Sequence, residues 1–205
     1  MGDGRRCVDI SAAGIMPAGD PTRLETDLVA LIAADDRRMA ALAAVASLRL
    51  PDCWIGAGFV RDAVWDRLHG RPPAMPHGDV DVLYFDSRHL SPGDDAALER
   101  RLRAAAPEPD WSVRNQARMH LRNGDPPYRS VGDAMRFWPE TATAVALRLA
   151  GNGAIEVMAP YRLGDLYRLR LVPTENFTTR KRAIFDQRIA DKEWLARYPL
   201  LRVIR

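Results

Sequence analysis

The chain has 205 residues and a formal net charge of +3, a length that allows one domain with a hydrophobic core. No stretch is apolar enough to span a membrane, and Cys7 and Cys53 are too few and too far apart to predict a disulfide scaffold or a zinc site. We therefore predict a cytoplasmic protein without a membrane partner. Residues 101–205 contain 19 basic and 11 acidic residues, a balance that is typical either of a site for a polyanionic ligand or of a solvated arginine-rich surface.

The N-terminal third predicts an arm followed by alternating helix and strand. Residues 1–21 mix glycine, proline and charge without periodicity, so we predict a loosely held arm there and one domain over residues 22–205. Apolar residues at helical spacing on both sides of Asp35-Asp36 predict two helices. We expect the first core strand over Cys53–Ala57 and a third helix over Phe59–His69.

The middle of the chain predicts a buried strand. Prolines over residues 71–78 exclude a helix and lead into Asp79–Phe85, which is apolar on both faces except for its acids and should lie inside a sheet. A helix over Leu98–Ala106 and a strand over Trp111–Asn115 follow.

The remaining elements complete an α+β pattern. We predict a hairpin of Ala142–Leu149 and Ala154–Met158 across the tight-turn sequence at residues 150–153. Arg180–Arg197 has the apolar spacing of an amphipathic C-terminal helix. The fold class that follows is α+β, with a mixed sheet flanked by helices.

Two acids in the predicted buried strand are the strongest candidates for chemistry. Asp79 and Asp81 are two residues apart, so their carboxylates project from one face of the strand and repel each other unless a cation lies between them. Glu156 occupies a similar apolar strand further along the chain. An isolated pair of this kind is often structural, and an arginine could also compensate the charge, but the apolar context favours a metal site for magnesium or manganese.

The turn before the third helix is a candidate phosphate site. Gly56, Ala57 and Gly58 join an apolar strand to a helix, an arrangement that leaves backbone N–H groups free at a helix N-terminus. Arg61 lies one turn into that helix, where it could contact phosphate or ribose, or pair with Asp62.

These motifs resemble the DNA polymerase β-type nucleotidyltransferase superfamily, whose pattern is an apolar strand, a Gly-Gly or Gly-Ser turn, a D-x-D strand and a third carboxylate on a later strand. The run Ala57–Asp62 is similar to the G-G-x-V-R-D run of tRNA CCA-adding enzymes and poly(A) polymerases, from which Ala57 departs. From about Trp54 to Arg205 the chain resembles the bacterial "nucleotidyltransferase family protein" group, through four runs: Trp111–His120, Trp138–Ala144, Ala159–Leu166 and Lys192–Trp194.

The resemblance implies a minimal polymerase β-like fold and a reaction. Asp79 and Asp81 would hold two magnesium ions, while Glu156 would bind the second and accept the acceptor's proton. A nucleoside monophosphate would pass from an NTP to a hydroxyl acceptor, with release of pyrophosphate. The acceptor could be RNA, a protein or a small molecule, because the chain lacks the long helical body with which CCA-adding enzymes hold tRNA. The alternative is a catalytically silent nucleotide- or RNA-binding module of the same fold.

Further polar and aromatic residues could complete the nucleotide site. The tract from Asn115 to His120 is polar where a core would be apolar, so Asn115, Arg118 and His120 are candidate nucleotide contacts or buried hydrogen-bonding residues. Trp194, like the other tryptophans of the matching runs, could stack on a base or anchor the core.

Overall fold

The computed structural model describes residues 20–205, which contain ten helices and seven strands. In chain order these are α1 (Pro21–Ala33), α2 (Asp36–Ala46), β1 (Trp54–Gly56), α3 (Gly58–Leu68), β2 (Val80–Tyr84), α4 (Pro92–Ala105), β3 (Trp111–Asn115), α5 (Gln116–Asn123), α6 (Val131–Met135), β4 (Ala146–Leu149), β5 (Ile155–Met158), α7 (Gly164–Tyr167), β6 (Arg170–Leu171), α8 (Glu175–Thr178), α9 (Arg182–Asp191), α10 (Trp194–Arg197) and β7 (Arg202–Val203).

Five of the strands form one mixed sheet in the order β3-β2-β1-β4-β5. β2 and β3 are parallel, and the other neighbouring strands are antiparallel. The predicted α+β fold with a mixed sheet is therefore confirmed, including the hairpin of β4 and β5 and the position of β2 inside the sheet. The two remaining strands, β6 and β7, form a small parallel sheet of their own.

The two faces of the main sheet are covered differently. On one face, Ile55 and Val82 pack with apolar residues of α1 to α4 in the larger core cluster. On the other face, Trp54 and Leu83 pack mainly against the short helix α6. Because side chains alternate along a strand, Asp81 lies on this second face with Leu83.

A side-chain cap separates the first two helices. The Oδ1 atom of Asp35 accepts hydrogen bonds from the backbone N–H groups of Arg37 and Arg38, each 3.1 Å long. Such a cap satisfies donors that have no partner within the helix, which explains why α2 begins here. The predicted break at Asp35-Asp36 is confirmed.

The C-terminal helices pack against α3. Trp194 and Tyr198 contact Trp65 edge-on, with ring centroids 5.8 and 5.3 Å away. The single helix predicted over Arg180–Arg197 is instead two helices, α9 and α10, because Glu193 adopts a left-handed backbone conformation with φ of +50°. This bend turns the end of the chain toward α3.

The predicted arm over residues 1–21 lies almost wholly outside the described residues, although α1 already begins at Pro21. Among the helices of residues 20–205, none has both the length and the apolar composition needed to cross a bilayer.

Candidate functional site

A cavity of about 400 Å³ lies where the turn between β1 and α3 meets the start of β2 and the C-terminal helices. It is lined by Ala57, Gly58, Arg61, Asp62, Pro76, His77, Gly78, Asp79, Asp81, Arg188, Asp191, Lys192, Glu193, Trp194 and Arg197. We refer to it as the turn cavity. It combines the predicted phosphate turn with two of the three predicted acids.

Asp79 and Asp81 lie together in the turn cavity at the start of β2. Asp79 is exposed just before the strand, and Asp81 is its partly buried second residue. Burial, and then the charge of Asp79, raise the pKa of Asp81 to about 6. Two carboxylates on one wall of a cavity are suited to share a cation, and Mg²⁺ is commonly bound through one or two carboxylates together with water and phosphate oxygens. These residues therefore fit a magnesium or manganese ion.

The backbone angle that favours glycine falls on Ala57. This residue, the N-cap of α3, has φ of +51° and ψ of −120°. No side chain caps α3 within the described residues, so the first N–H groups of the helix remain available to a ligand. A non-glycine residue held in such a conformation costs about 1–3 kcal/mol and is typical of functional turns.

Replacing Ala57 with glycine should therefore stabilise the protein. We expect the free energy of unfolding to rise by about 1 kcal/mol, because glycine adopts this conformation at little cost and pays only a smaller entropic penalty. Thermal and urea unfolding of the purified variant measure this change. Ala63→Gly, within the same helix, is the matched control and should destabilise by about 1 kcal/mol or more; loss of stability in Ala57→Gly would contradict backbone strain at the turn.

The two glycines of the turn have separate roles. A Cβ on Gly56 would lie 3.1 Å from Leu83 Cδ1 and 3.3 Å from the Val145 carbonyl oxygen, so this glycine permits close packing inside the sheet and does not line the cavity. Gly58 does line it, and a Cβ there would lie 3.3 Å from Arg61 Nη2. Gly58 is thus the glycine at which a side chain would enter the turn cavity.

Arg61 is fixed on the cavity wall by an ion pair. Its Nε and Nη2 atoms lie 2.8 and 2.7 Å from Oδ1 of the buried Asp62. The other Asp62 oxygen accepts a 3.3 Å hydrogen bond from the His77 backbone N–H, which ties the proline-rich segment to α3. The pairing considered from the sequence is therefore present, and Arg61 also faces the cavity.

Three basic residues of the C-terminal region also line the cavity: Arg188, Lys192 and Arg197. The positive charges of Arg61, Arg188 and Lys192 favour the ionised form of Asp81 and oppose the increase in its pKa. The three C-terminal residues were not among the site residues predicted from the sequence. The sequence shows them only as part of the polar face of the predicted amphipathic C-terminal helix, and such a face is usually exposed to solvent rather than part of a binding site.

Glu156 is not part of the turn cavity. It lies on the edge strand β5, three strands away from β2, which corresponds to about 14 Å at normal strand spacing. Its Oε2 atom pairs with Arg148 Nη2 at 2.5 Å, directly across β4 and β5, and it lines a separate cavity of about 490 Å³ with Cys53. Within residues 20–205, no three His, Cys, Asp or Glu side chains are grouped closely enough to hold a metal. The structure therefore places Glu156 apart from Asp79 and Asp81, and the three predicted acids do not meet in one cavity.

Substituting Glu156 should accordingly have a small effect. Its side chain is 43% exposed, and exposed ion pairs contribute about 0–1 kcal/mol to stability. We expect Glu156→Gln to reduce stability by no more than about 1 kcal/mol and to leave any nucleotide transfer unchanged within about twofold. Unfolding and transfer assays on the same preparation measure both; a loss of transfer of a hundredfold without unfolding would restore Glu156 to the reaction.

Two of the three predicted nucleotide contacts, Asn115 and Arg118, are held by polar contacts within the protein. Asn115 is fully buried; its Oδ1 caps α5 and accepts from the Asp86 N–H at 3.1 Å, while its Nδ2 donates to two backbone carbonyls. Arg118 pairs with the buried Asp95. None of the three lines the turn cavity, because Asn115 lies opposite Tyr84, at the other end of β2 from Asp81. The hydrogen-bonding alternative therefore describes Asn115 and Arg118, whereas the Nδ1 atom of His120 is buried without a hydrogen-bond partner in the part of the chain that the structure describes.

Comparisons with known proteins agree with the fold. A family model described as "Nucleotidyltransferase" matches residues 43–203. A protein whose NMR structure reveals a CCA-adding enzyme head domain has a TM-score of 0.79 and 30% sequence identity, over 88% of this chain and 95% of that one. A tRNA-processing enzyme in an apo form has a TM-score of 0.50 and 14% identity, over 80% of this chain but 45% of that one, and this likeness concerns the fold alone. No curated protein matches the chain. Because the family model covers most of the sequence, the chain belongs to the nucleotidyltransferase family.

Proposed function

We propose that the protein transfers a nucleoside monophosphate from an NTP to a hydroxyl acceptor in the turn cavity, and that the reaction requires Mg²⁺ or Mn²⁺. The observation that carries the proposal is the meeting of Asp79 and Asp81 with an uncapped helix N-terminus in one cavity of a nucleotidyltransferase-family chain. The paired acids would hold the metal ion. When bound, the ion would offset the charge of the phosphates and of the attacking oxygen.

Other groups of the cavity would bind the phosphates in this proposal. The N–H groups at the start of α3 would donate to phosphate oxygens, and Arg61 is held beside them by Asp62. The acceptor oxygen would attack the α-phosphorus, the bond to the β-phosphate would break, and pyrophosphate would leave. The acceptor's proton would pass to a carboxylate of the cavity or to water, since Glu156 lies three strands away.

The direct test is transfer of label from each α-labelled NTP, with Mg²⁺ or Mn²⁺, to fractionated RNA, protein and small molecules. We expect one fraction to become labelled only when metal is present, with pyrophosphate released in equal amount. Asp79→Asn should abolish the transfer and also the increase in melting temperature that metal and NTP produce together. Transfer that persists in this folded variant, or without any divalent metal, would contradict the proposal.

A second candidate function is nucleotide binding without chemistry. One observation favours it: the turn cavity holds the acid pair but not Glu156. Calorimetric binding of NTP and metal, combined with no transfer to any fraction and no pyrophosphate release, would support this binding module over the enzyme.

A further inference from the structure

We propose that the C-terminal helix α9 carries the subsite for the β- and γ-phosphates of the NTP, in which Arg188 and Lys192 bind the pyrophosphate group and Glu140 positions Arg188. This assignment rests on the proposed function and adds the polyphosphate-binding residues to it. Four observations carry it: a buried acid, a shared indole ring, an arginine edge that is free of protein partners, and a neighbouring lysine.

The buried acid is Glu140, in the segment before β4. It is completely inaccessible to solvent, and its Oε1 accepts a 2.9 Å hydrogen bond from Arg188 Nε. Its other oxygen accepts from Thr143 Oγ1 at 2.7 Å. Removing a carboxylate from water costs several kcal/mol unless it is paired. The buried Glu140 therefore requires Arg188 to stay within hydrogen-bonding distance. The Nε edge of the Arg188 guanidinium is therefore held by a buried residue.

The shared ring belongs to Trp194, which is itself 1% exposed. The guanidinium of Arg188 lies 5.2 Å from the indole centroid, and that of Arg61 lies 4.8 Å from it. Stacking of this kind restricts the plane of each guanidinium. One tryptophan thus orients two arginines that come from different ends of the chain, and both of them line the turn cavity.

The two arginines differ in which guanidinium nitrogen atoms bind another residue. Arg61 uses Nε and Nη2 on Asp62, whereas Arg188 uses only Nε, on Glu140. Within residues 20–205, neither Nη atom of Arg188 has a protein hydrogen-bond partner, and its side chain is 30% exposed. A guanidinium that is held by one edge and open at the other is suited to bind a phosphate through two parallel hydrogen bonds.

Lys192 adds a second positive charge to the cavity wall that Arg188 lines. It follows Arg188 by four residues at the end of α9, so both side chains lie on the same side of the helix. It lines the cavity, and no ion pair to it exists in the part of the chain that the structure describes. An NTP carries most of its negative charge on the β- and γ-phosphates, and these two cations line the same cavity as the α3 turn.

Binding measurements can test this assignment without any acceptor. Calorimetric titration with NTP, NMP and pyrophosphate, each with Mg²⁺, compares wild type with Lys192→Gln and Arg188→Gln. We expect both variants to lose at least about tenfold in affinity for NTP and pyrophosphate, because each lost charge-assisted contact is worth that much, and to bind NMP as the wild type does. Arg182→Gln is the matched control: it removes an arginine of the same helix that pairs with Asp186 and lies outside the cavity, and it should change none of the affinities.

Two further variants keep the test decisive if Arg188→Gln unfolds. The double variant Glu140→Gln with Arg188→Gln removes both charges, so that no buried carboxylate is left alone, and it should show the same loss of pyrophosphate binding. Glu140→Gln alone should weaken NTP and pyrophosphate binding while leaving NMP binding intact, a selectivity that a purely structural role would not produce. Unchanged NTP and pyrophosphate affinities in Lys192→Gln and in the double variant would overturn the subsite while leaving the proposed function standing; absence of NTP binding by the wild type would overturn both.

Discussion

Without metal, the Asp81→Asn variant should be more stable than the wild type by about 3 kcal/mol at pH 7, and this advantage should fall well below about 1 kcal/mol near pH 4. The pKa of Asp81 is raised from 3.8 to about 6 in the folded protein, first by burial and then by Asp79. Only well below the unfolded-state pKa of 3.8 is the carboxyl protonated in both the folded and the unfolded chain, so that it causes no difference. Between pH 4 and 6 the unfolded chain ionises first, and the stability of the wild type falls relative to the variant as the pH rises. Urea unfolding in the presence of a chelator, measured from pH 4 to 8, gives the difference directly.

Two comparisons separate this effect from a general change in charge. Asp79→Asn should give a smaller stabilisation through Asp81, because burial remains as the larger cause of the raised pKa. Mg²⁺ together with NTP should stabilise the wild type and not Asp81→Asn, which would reduce or reverse the difference between them. A stability difference that is the same at pH 4 and pH 7 would contradict the buried, unpaired carboxylate.

The parts of the site that are close in sequence could be predicted. The spacing of Asp79 and Asp81 determines that they share a face, whatever the sheet order. The turn and the helix that starts at Gly58 follow from an apolar strand that ends in small residues. The position of the positive φ angle could not be predicted. Two glycines around Ala57 do not show which of the three residues adopts this angle, and in the structure it is Ala57.

The parts that depend on distant segments could not be predicted. Glu156 and Asp81 occupy similar apolar strands, and only the strand order shows that β1 and β4 lie between them. Arg188 belongs to a helix face that looks solvated in sequence, and its role depends on a buried glutamate 48 residues earlier. Asn115 and Arg118 look like ligand contacts because a buried hydrogen-bond network and a binding site use the same residue types.

Replacing Gly58 with valine should reduce affinity for NTP by about a hundredfold or more, equivalent to about 2.7 kcal/mol, while the protein stays folded. A Cβ at this position would already lie 3.3 Å from Arg61 Nη2 and 3.5 Å from Pro76 Cβ, and the two methyl groups of valine would extend into the turn cavity. They would cover the N–H groups at the start of α3 and displace Arg61 from Asp62. No left-handed angle is required at Gly58, so backbone strain is not the cause.

Gly58→Ala is the matched control, because it adds the Cβ without the branch. Arg61 Nη2 is the end of a flexible side chain and can shift by a few tenths of an ångström, so we expect a loss of less than about tenfold. Calorimetry with NTP and Mg²⁺, after melting curves have shown that both variants are folded, measures the series. A gradual decrease from glycine to alanine to valine would support phosphate binding at the α3 turn. Equal affinities in all three proteins would show that the triphosphate binds elsewhere, and the helix N-terminus, Arg61 and the acid pair would then lose their common ligand.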